Sequence, residues 1–456
     1  VDREEVATIS PTGHPPSLDR GGTPSVDREI VALALPALGA LVAEPLFVLV
    51  DTAVVGHLGT EPLAGLALAS TVLLTLVGLC VFLAYATTAA VARRSGAGDV
   101  RGAMTLGVDG VWLALGTGVV LAAALALAAP ALVAALGARD GVAAQAVAYL
   151  RWSSPGLPGM LAVLAATGAL RGLRDTRTPL VVAAGGAVVN AALCVLLGVG
   201  LDRGIAGSGA ATAATQLLMA VALVLVVARG ARAVGAPLRP RVAGVLAHAR
   251  AGVPLLVRTL TLRAAILLTA VVATDLGAVA LAGHGVVASV WGLAAFALDA
   301  LAIAAQALVG HALGAGDRAR TRAVLTRCLR WGVGAGVVLG AVLAAAAPWL
   351  VRPFSADPDV RAAAVAGLLV VAVTLPLGGW VFVLDGVLIG AGDGRYLARA
   401  GVATLVVYVP AALAVLALAP AGPAGLAWLW AAFAGLFMLA RAVTTGLRAR
   451  GESWQR

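Results

Sequence analysis

The chain has 456 residues, 61% of them hydrophobic and only 12% charged, with a mean hydropathy of +1.00 and a formal net charge of +10. A soluble domain carries about 25% charged residues, so a soluble globular protein is excluded. The apolar residues form long runs rather than alternating patterns, which excludes a membrane barrel and leaves an all-α polytopic membrane protein.

All 32 basic residues are Arg. Most sit in short loops between apolar runs, where they set topology. Nucleic acid is therefore not an expected partner, whereas membrane lipids are. With no Lys there is no Gly-Lys-Ser/Thr phosphate loop, and ATP-driven transport by this chain alone is disfavoured. Cys80, Cys194 and Cys328 fall in apolar stretches without CxxC spacing, so no disulfide, metal cluster or cofactor is expected.

Residues 1–27 are polar and lack the apolar core of a signal peptide, so they read as a disordered cytoplasmic tail. The first span, near 30–57, contains the stretch Pro36 to Gly59 and carries two carboxylates, Glu44 and Asp51. A charge at a helix centre costs about 2.5–3.5 kcal/mol on insertion scales. Seven residues, about two turns, separate the two acids, so they share a face and need a polar surrounding such as a water-filled cavity. Buried carboxylates of this kind can bind a proton, a cation or a cationic group of a substrate.

Eleven further spans lie near 62–92, 104–130, 142–171, 178–200, 206–228, 250–275, 279–312, 323–350, 361–390, 396–419 and 424–446. The loops on one side, together with both terminal segments, hold 25 Arg, and the opposite loops hold four. The first set is therefore expected to be cytoplasmic, with both termini inside the cell membrane.

A shift of 218 residues superimposes the two halves. It maps Pro36, Pro130 and Pro158 onto Pro254, Pro348 and Pro376. It also maps Gly96-Ala97-Gly98-Asp99 onto Gly314-Ala315-Gly316-Asp317, and Gly168, Gly172 and Asp175 onto Gly386, Gly390 and Asp393. Six spans per repeat is an even number, so the halves share an orientation and a pseudo-two-fold axis runs along the membrane normal. The resulting division is a tail at 1–27, a first six-helix lobe at 28–229, a cytoplasmic linker at 230–249, a second lobe at 250–447 and a tail at 448–456.

The halves differ chemically. Glu44 and Asp51 map onto Leu262 and Thr269, so only the first half has the acid pair. Within its spans the second half has Arg258, Arg263, Asp299, Gln306 and Asp385 instead. Arg258 and Asp299 lie at comparable depths on consecutive spans, which predicts an ion pair between them. Asn190, mid-span in the fifth helix, is placed to hydrogen-bond a first-helix carboxylate. Pro36, Pro254, Pro158 and Pro376 each remove a backbone hydrogen bond and are candidate hinges.

Several stretches together resemble the multidrug and toxic compound extrusion (MATE) family, and specifically its DinF-like branch. They are PALGALVAEPLFVLVDTAVVGHLG, GALRGLRDTRTP, NAALCVLLGVG and GIAGSGAAT in the first half, and VRTLTLR, ALDALAIAAQALVGHALGAGD and LPLGGWVFVLDGVLIGAGD in the second. The resemblance implies two six-helix lobes forming a V around a central cavity, and export of amphipathic small molecules driven by an H⁺ or Na⁺ gradient, with no enzymatic activity. The family's first-helix Asp falls on Asp51 and its fifth-helix Asn on Asn190. Where the family usually has an Asp four residues after that Asn, this chain has Cys194, and Glu44 becomes the candidate for the second coupling carboxylate. The expectation is a monomeric antiporter working by alternating access. A flippase for lipid-linked precursors is the competing reading, and an intramembrane enzyme is less favoured.

Overall fold

The computed structural model describes residues 25–420 and 422–455, without the Glu44 side chain. Twelve helices are long and apolar enough to cross a membrane. They are α1 Val26–Gly56, α2 Thr60–Gly96, α3 Val100–Ala135, α4 Asp140–Gly172, α5 Arg177–Gly200 and α6 Gly204–Ala233, followed by α7 Val242–Asp275, α8 Ala278–Gly314, α9 Arg318–Leu350, α10 Pro358–Gly390, α11 Gly394–Leu418 and α12 Pro423–Arg450. Residues 1–24 of the expected N-terminal tail lie outside the described residues.

The duplication is visible in backbone detail. Asp99 caps α3 by accepting from Gly102 N at 2.7 Å, and its counterpart Asp317 caps α9 by accepting from Arg320 N at 2.8 Å. Gly98 and Gly316, just before these caps, both have left-handed backbone, with φ of 78° and 69°. Within each lobe the same glycines let helices touch. A Cβ on Gly118 would lie 2.4 Å from Pro158 Cα, and one on Gly336 would lie 2.7 Å from Pro376 Cα. Two of the four candidate hinge prolines are thus held against a neighbouring helix, whereas Pro36 and Pro254 lie inside the long helices α1 and α7.

The lobes meet at the arginine-rich end. A Cβ on Gly96 would sit 2.0 Å from His311 O, and one on Gly314 would sit 2.0 Å from Arg93 O, a reciprocal contact about the pseudo-two-fold axis. The start of α1 reaches across, and Ile30, Leu33 and Ala34 pack in a core otherwise built mostly from the second lobe. Glu29 accepts both 2.7 and 2.9 Å hydrogen bonds from Arg320, and Gln306 Nε2 donates to Tyr85 O at 2.8 Å. At the far end the cores belong to one lobe each: one gathers Val55, Leu66 and Leu150, the other Val272, Leu368 and Leu426. The result is a V closed at the arginine-rich end.

Several helix ends lie beyond the expected spans, because polar residues do not by themselves end a helix. Helix α6 continues to Ala233 and α7 begins at Val242, so the linker shrinks from 230–249 to 234–241. It is fastened to the first lobe by Arg241 on Asp109 at 2.6 Å and by Trp112 Nε1 donating to Leu238 O at 2.9 Å. Helix α12 runs to Arg450, inside the expected tail, and Trp454 beyond it is only 2% exposed.

Candidate functional site

Asp51 lies near the far end of α1 and is 4% exposed. Its carboxylate is held by four donors from three other helices. Asn190 Nδ2 and the Cys194 thiol, both on α5, donate to Oδ1 at 2.9 Å each. The hydroxyls of Tyr149 on α4 and Thr212 on α6 each donate to Oδ2 at 3.1 Å. Among the described residues no guanidinium pairs with Asp51, so a buried charge is met by neutral donors alone.

The expected Asp51–Asn190 contact is therefore present. The departure at Cys194 becomes a direct contact, with the thiol standing where a second carboxylate was anticipated. Helix α5 passes into a π-helical stretch, Val195–Gly200, immediately after Cys194, a local widening of a kind that often accompanies functional sites. The proposed partner Glu44 lies on the described helix α1, but its side chain lies outside the described residues.

This cluster opens into a cavity of about 230 Å³ in the first lobe, lined by Phe47, Met160, Leu164, Asn190, Gln216 and Met219, with Arg171 and Asp299 also on its wall. An adjoining cavity of about 420 Å³ lies in the second lobe, walled by Trp291, Phe382, Trp430 and Phe433 together with Arg258, Arg263 and Arg441. Val81, Tyr85 and Asp299 line both, so the two are limbs of one cleft.

The predicted Arg258–Asp299 pair does not form. Arg258 Nη2 lies 2.5 Å from Asp385, and Arg441 also bonds that carboxylate. Asp385 is thus held between two guanidiniums. Equal depth on adjacent helices matched Arg258 with Asp299, but the long Arg258 side chain reaches Asp385 on α10, a carboxylate that Arg441 on α12 also bonds. Asp299 faces the cleft, within electrostatic reach of Arg171 and Arg258. Gln306 serves the junction between lobes, and Arg263 is exposed in the cleft.

The duplication relates these centres. The positions 218 residues after Asp51, Asn190 and Thr212 are Thr269, Tyr408 and Trp430. There Thr269 and Tyr408 share a 2.6 Å hydrogen bond inside an aromatic core. Conversely, Arg258, Asp385 and Arg441 correspond to Ala40, Thr167 and Leu223, all on the wall of the first-lobe cavity. Each lobe therefore has one polar centre, at a place where the other lobe is neutral.

Tyr149, Thr212, Arg171 and Arg441 were not singled out in the sequence. Both arginines fall at or near the ends of expected spans, where Arg reads as a topology-setting charge, yet both are buried. For Tyr149 a signal existed: the chain has only four Tyr, and three of the hydroxyls bond between helices.

Comparison with known proteins bears on all of this. The MatE sequence family matches the chain twice, over residues 36–196 and 254–414, with the same 218-residue offset as the duplication. Protein DETOXIFICATION 44, chloroplastic, of Arabidopsis thaliana is 33% identical over 429 residues, which cover 91% of this chain and 80% of that protein. DNA damage-inducible protein F of Escherichia coli (strain K12) is 29% identical over 380 residues, covering 80% and 81%. The bent form of the Vibrio cholerae MATE transporter VcmN has the same fold, with a TM-score of 0.85 at 20% identity over 94% of this chain and 98% of that one. The doubled match, the polar cleft and the two six-helix lobes agree, and the chain belongs to the MatE family of multi-pass membrane efflux transporters.

Proposed function

We propose that the protein exports amphipathic small molecules by alternating access, in exchange for protons that bind at Asp51. The observation that carries this reading is the Asp51 carboxylate, buried on the wall of a largely apolar cavity and satisfied only by neutral donors. A Na⁺ ion needs several oxygen lone pairs, but the amide NH₂ and the thiol direct hydrogens at Oδ1. A proton asks less. If it binds Oδ2, the Tyr149 or Thr212 hydroxyl can rotate and accept, while the Oδ1 donors stay in place.

Deprotonated Asp51 ties α1 to α4, α5 and α6 through charge-assisted bonds, which are about twice as strong as neutral ones. Protonation weakens all four together and releases the outer part of α1 from its lobe. Pro36, inside α1, supplies the compliance for such a movement. Glu44, two turns below Asp51, is assigned as the second coupling carboxylate. With the arginine-rich loops in the cytoplasm, both termini lie inside, and the V opens outward from a plasma membrane, the state in which substrate is released.

The reading is tested in everted membrane vesicles, with the proton and sodium gradients collapsed separately. Efflux of an amphipathic cationic dye should stop when the proton gradient is removed, persist without the sodium gradient, and be absent in Asp51→Asn. Transport that survives Asp51→Asn, or that follows sodium alone, overturns it.

A further inference from the structure

The second-lobe limb of the cleft differs in charge from the first. Three arginines line it, Arg258, Arg263 and Arg441, against two carboxylates, Asp299 on its wall and Asp385 beside it. Asp385 is already committed to Arg258 and Arg441. Among these groups one positive charge is left over inside a membrane protein, where such charge is expensive.

Arg263 is the most available of them. It is exposed in the cleft and forms no hydrogen bond or ion pair among the described residues. Its guanidinium reaches over to α2 of the opposite lobe, where a Cβ on Gly78 would lie 2.5 Å from Nη2. Any side chain there would displace it. Two buried polar atoms on the same wall, Arg258 Nε and His284 Nδ1, also lack partners. Beside them stands an aromatic face in which Trp291 packs against Phe382 and Phe433 at centroid distances of 6.3 and 5.5 Å.

We propose that this limb is a binding site for an amphipathic anion, in which Arg263 takes a carboxylate, sulfonate or phosphate group and the Trp291–Phe382–Phe433 wall takes an aromatic or aliphatic body. A guanidinium presents a planar fork that matches such oxyanions, and the ligand's charge offsets the arginine excess. The site is separate from Asp51 and complementary to it in sign. The proposal rests on the cleft being the transport path, but binding is read at equilibrium without any gradient, so its failure would leave the coupling reading untouched.

The test uses the full chain in phosphatidylcholine nanodiscs and equilibrium dialysis with radiolabelled 1-naphthaleneacetate, alongside its neutral isostere 1-naphthaleneacetamide. The anion should bind at least about tenfold tighter than the amide, a difference of about 1.4 kcal/mol. Arg263→Gln should remove that preference, and Arg263→Lys should keep most of it. Replacing part of the lipid with phosphatidylglycerol separates two sources of the anion. Competition in the wild type but not in Arg263→Gln assigns the site to a lipid headgroup, and unchanged affinity assigns it to a soluble anion. Equal binding of acid and amide by the wild type overturns the proposal even if the variants fail to fold, as does an intact preference in Arg263→Gln.

Discussion

Replacing Cys194 with Ala removes one of the two donors on Asp51 Oδ1 and little else. The thiol stands 2.9 Å from that oxygen. A hydrogen bond to a charged acceptor contributes about 1.5–3 kcal/mol, and a thiol, as a weak donor, belongs at the low end. At about 1.4 kcal/mol per decade, losing that bond weakens the hold of α5 on α1 roughly tenfold, and gradient-driven dye efflux should fall by a comparable factor. Cys194→Ser supplies a stronger donor and should keep efflux near the wild-type rate. Cys194→Asp sets a second acidic group against Asp51 in place of a donor and should lower efflux at least as far as Cys194→Ala. The rates are read from dye efflux in everted vesicles. Equal rates in wild type and all three variants would remove the Asp51–Cys194 contact from the coupling step.

Two further perturbations address the frame around that centre. Asp385→Asn leaves Arg258 and Arg441 buried against each other and should destabilise the protein by about 3–5 kcal/mol, seen as a lowered melting temperature in detergent. The triple variant Arg258→Ala, Asp385→Thr, Arg441→Leu copies Ala40, Thr167 and Leu223 of the first lobe and should recover most of that loss; if it melts no higher than Asp385→Asn, the triad is more than a paired set of charges. Glu29→Gln weakens the clasp between α1 and α9. In that background Ala37→Cys should be labelled faster from the arginine-rich side, and an unchanged rate would show that the clasp does not hold that end closed.

The amino-acid sequence reveals the frame well because membrane helices and duplication leave long-range signals. Twelve apolar runs and a single 218-residue register suffice for the two lobes, and Gly118 and Gly336 lie against their matching prolines as that register requires. Asp51 and Asn190 were legible because an acid and an amide inside apolar spans are anomalous in any arrangement. Their partners Tyr149 and Thr212 were not, since a hydroxyl inside a membrane helix is unremarkable until its neighbour is known. The ion pairs were hardest. Depth along a helix can be counted in residues, but which helix stands next to which cannot. Equal depth therefore pairs Arg258 with Asp299 when Asp385 lies closer, and Arg171 and Arg441 read as ordinary topology-setting charges toward the arginine-rich ends of their helices.

The placement of the two polar centres suggests why a duplicated fold has kept unequal halves. Asp385 is neutralised by two fixed guanidiniums, and the positions of its partners tie α7, α10 and α12 together whatever the pH or gradient. Asp51 has no such partner. Its four neutral donors hold α1 to α4, α5 and α6 strongly when it is charged and weakly when it is not. A lobe built on the first arrangement is stiff, and a lobe built on the second can loosen when a proton arrives. Where the first lobe has its acid, the second has Thr269, hydrogen-bonded to Tyr408 beside an aromatic core, so no ionisable group stands at that position. Movement driven by protonation is therefore expected to be confined to the first lobe, with the second acting as the surface it moves against. Hydrogen exchange compared at low and high pH should show altered protection in α1 and α5 and unchanged protection in α7 and α11. Equal changes in both lobes would mean that the asymmetry in charge does not set the asymmetry in motion.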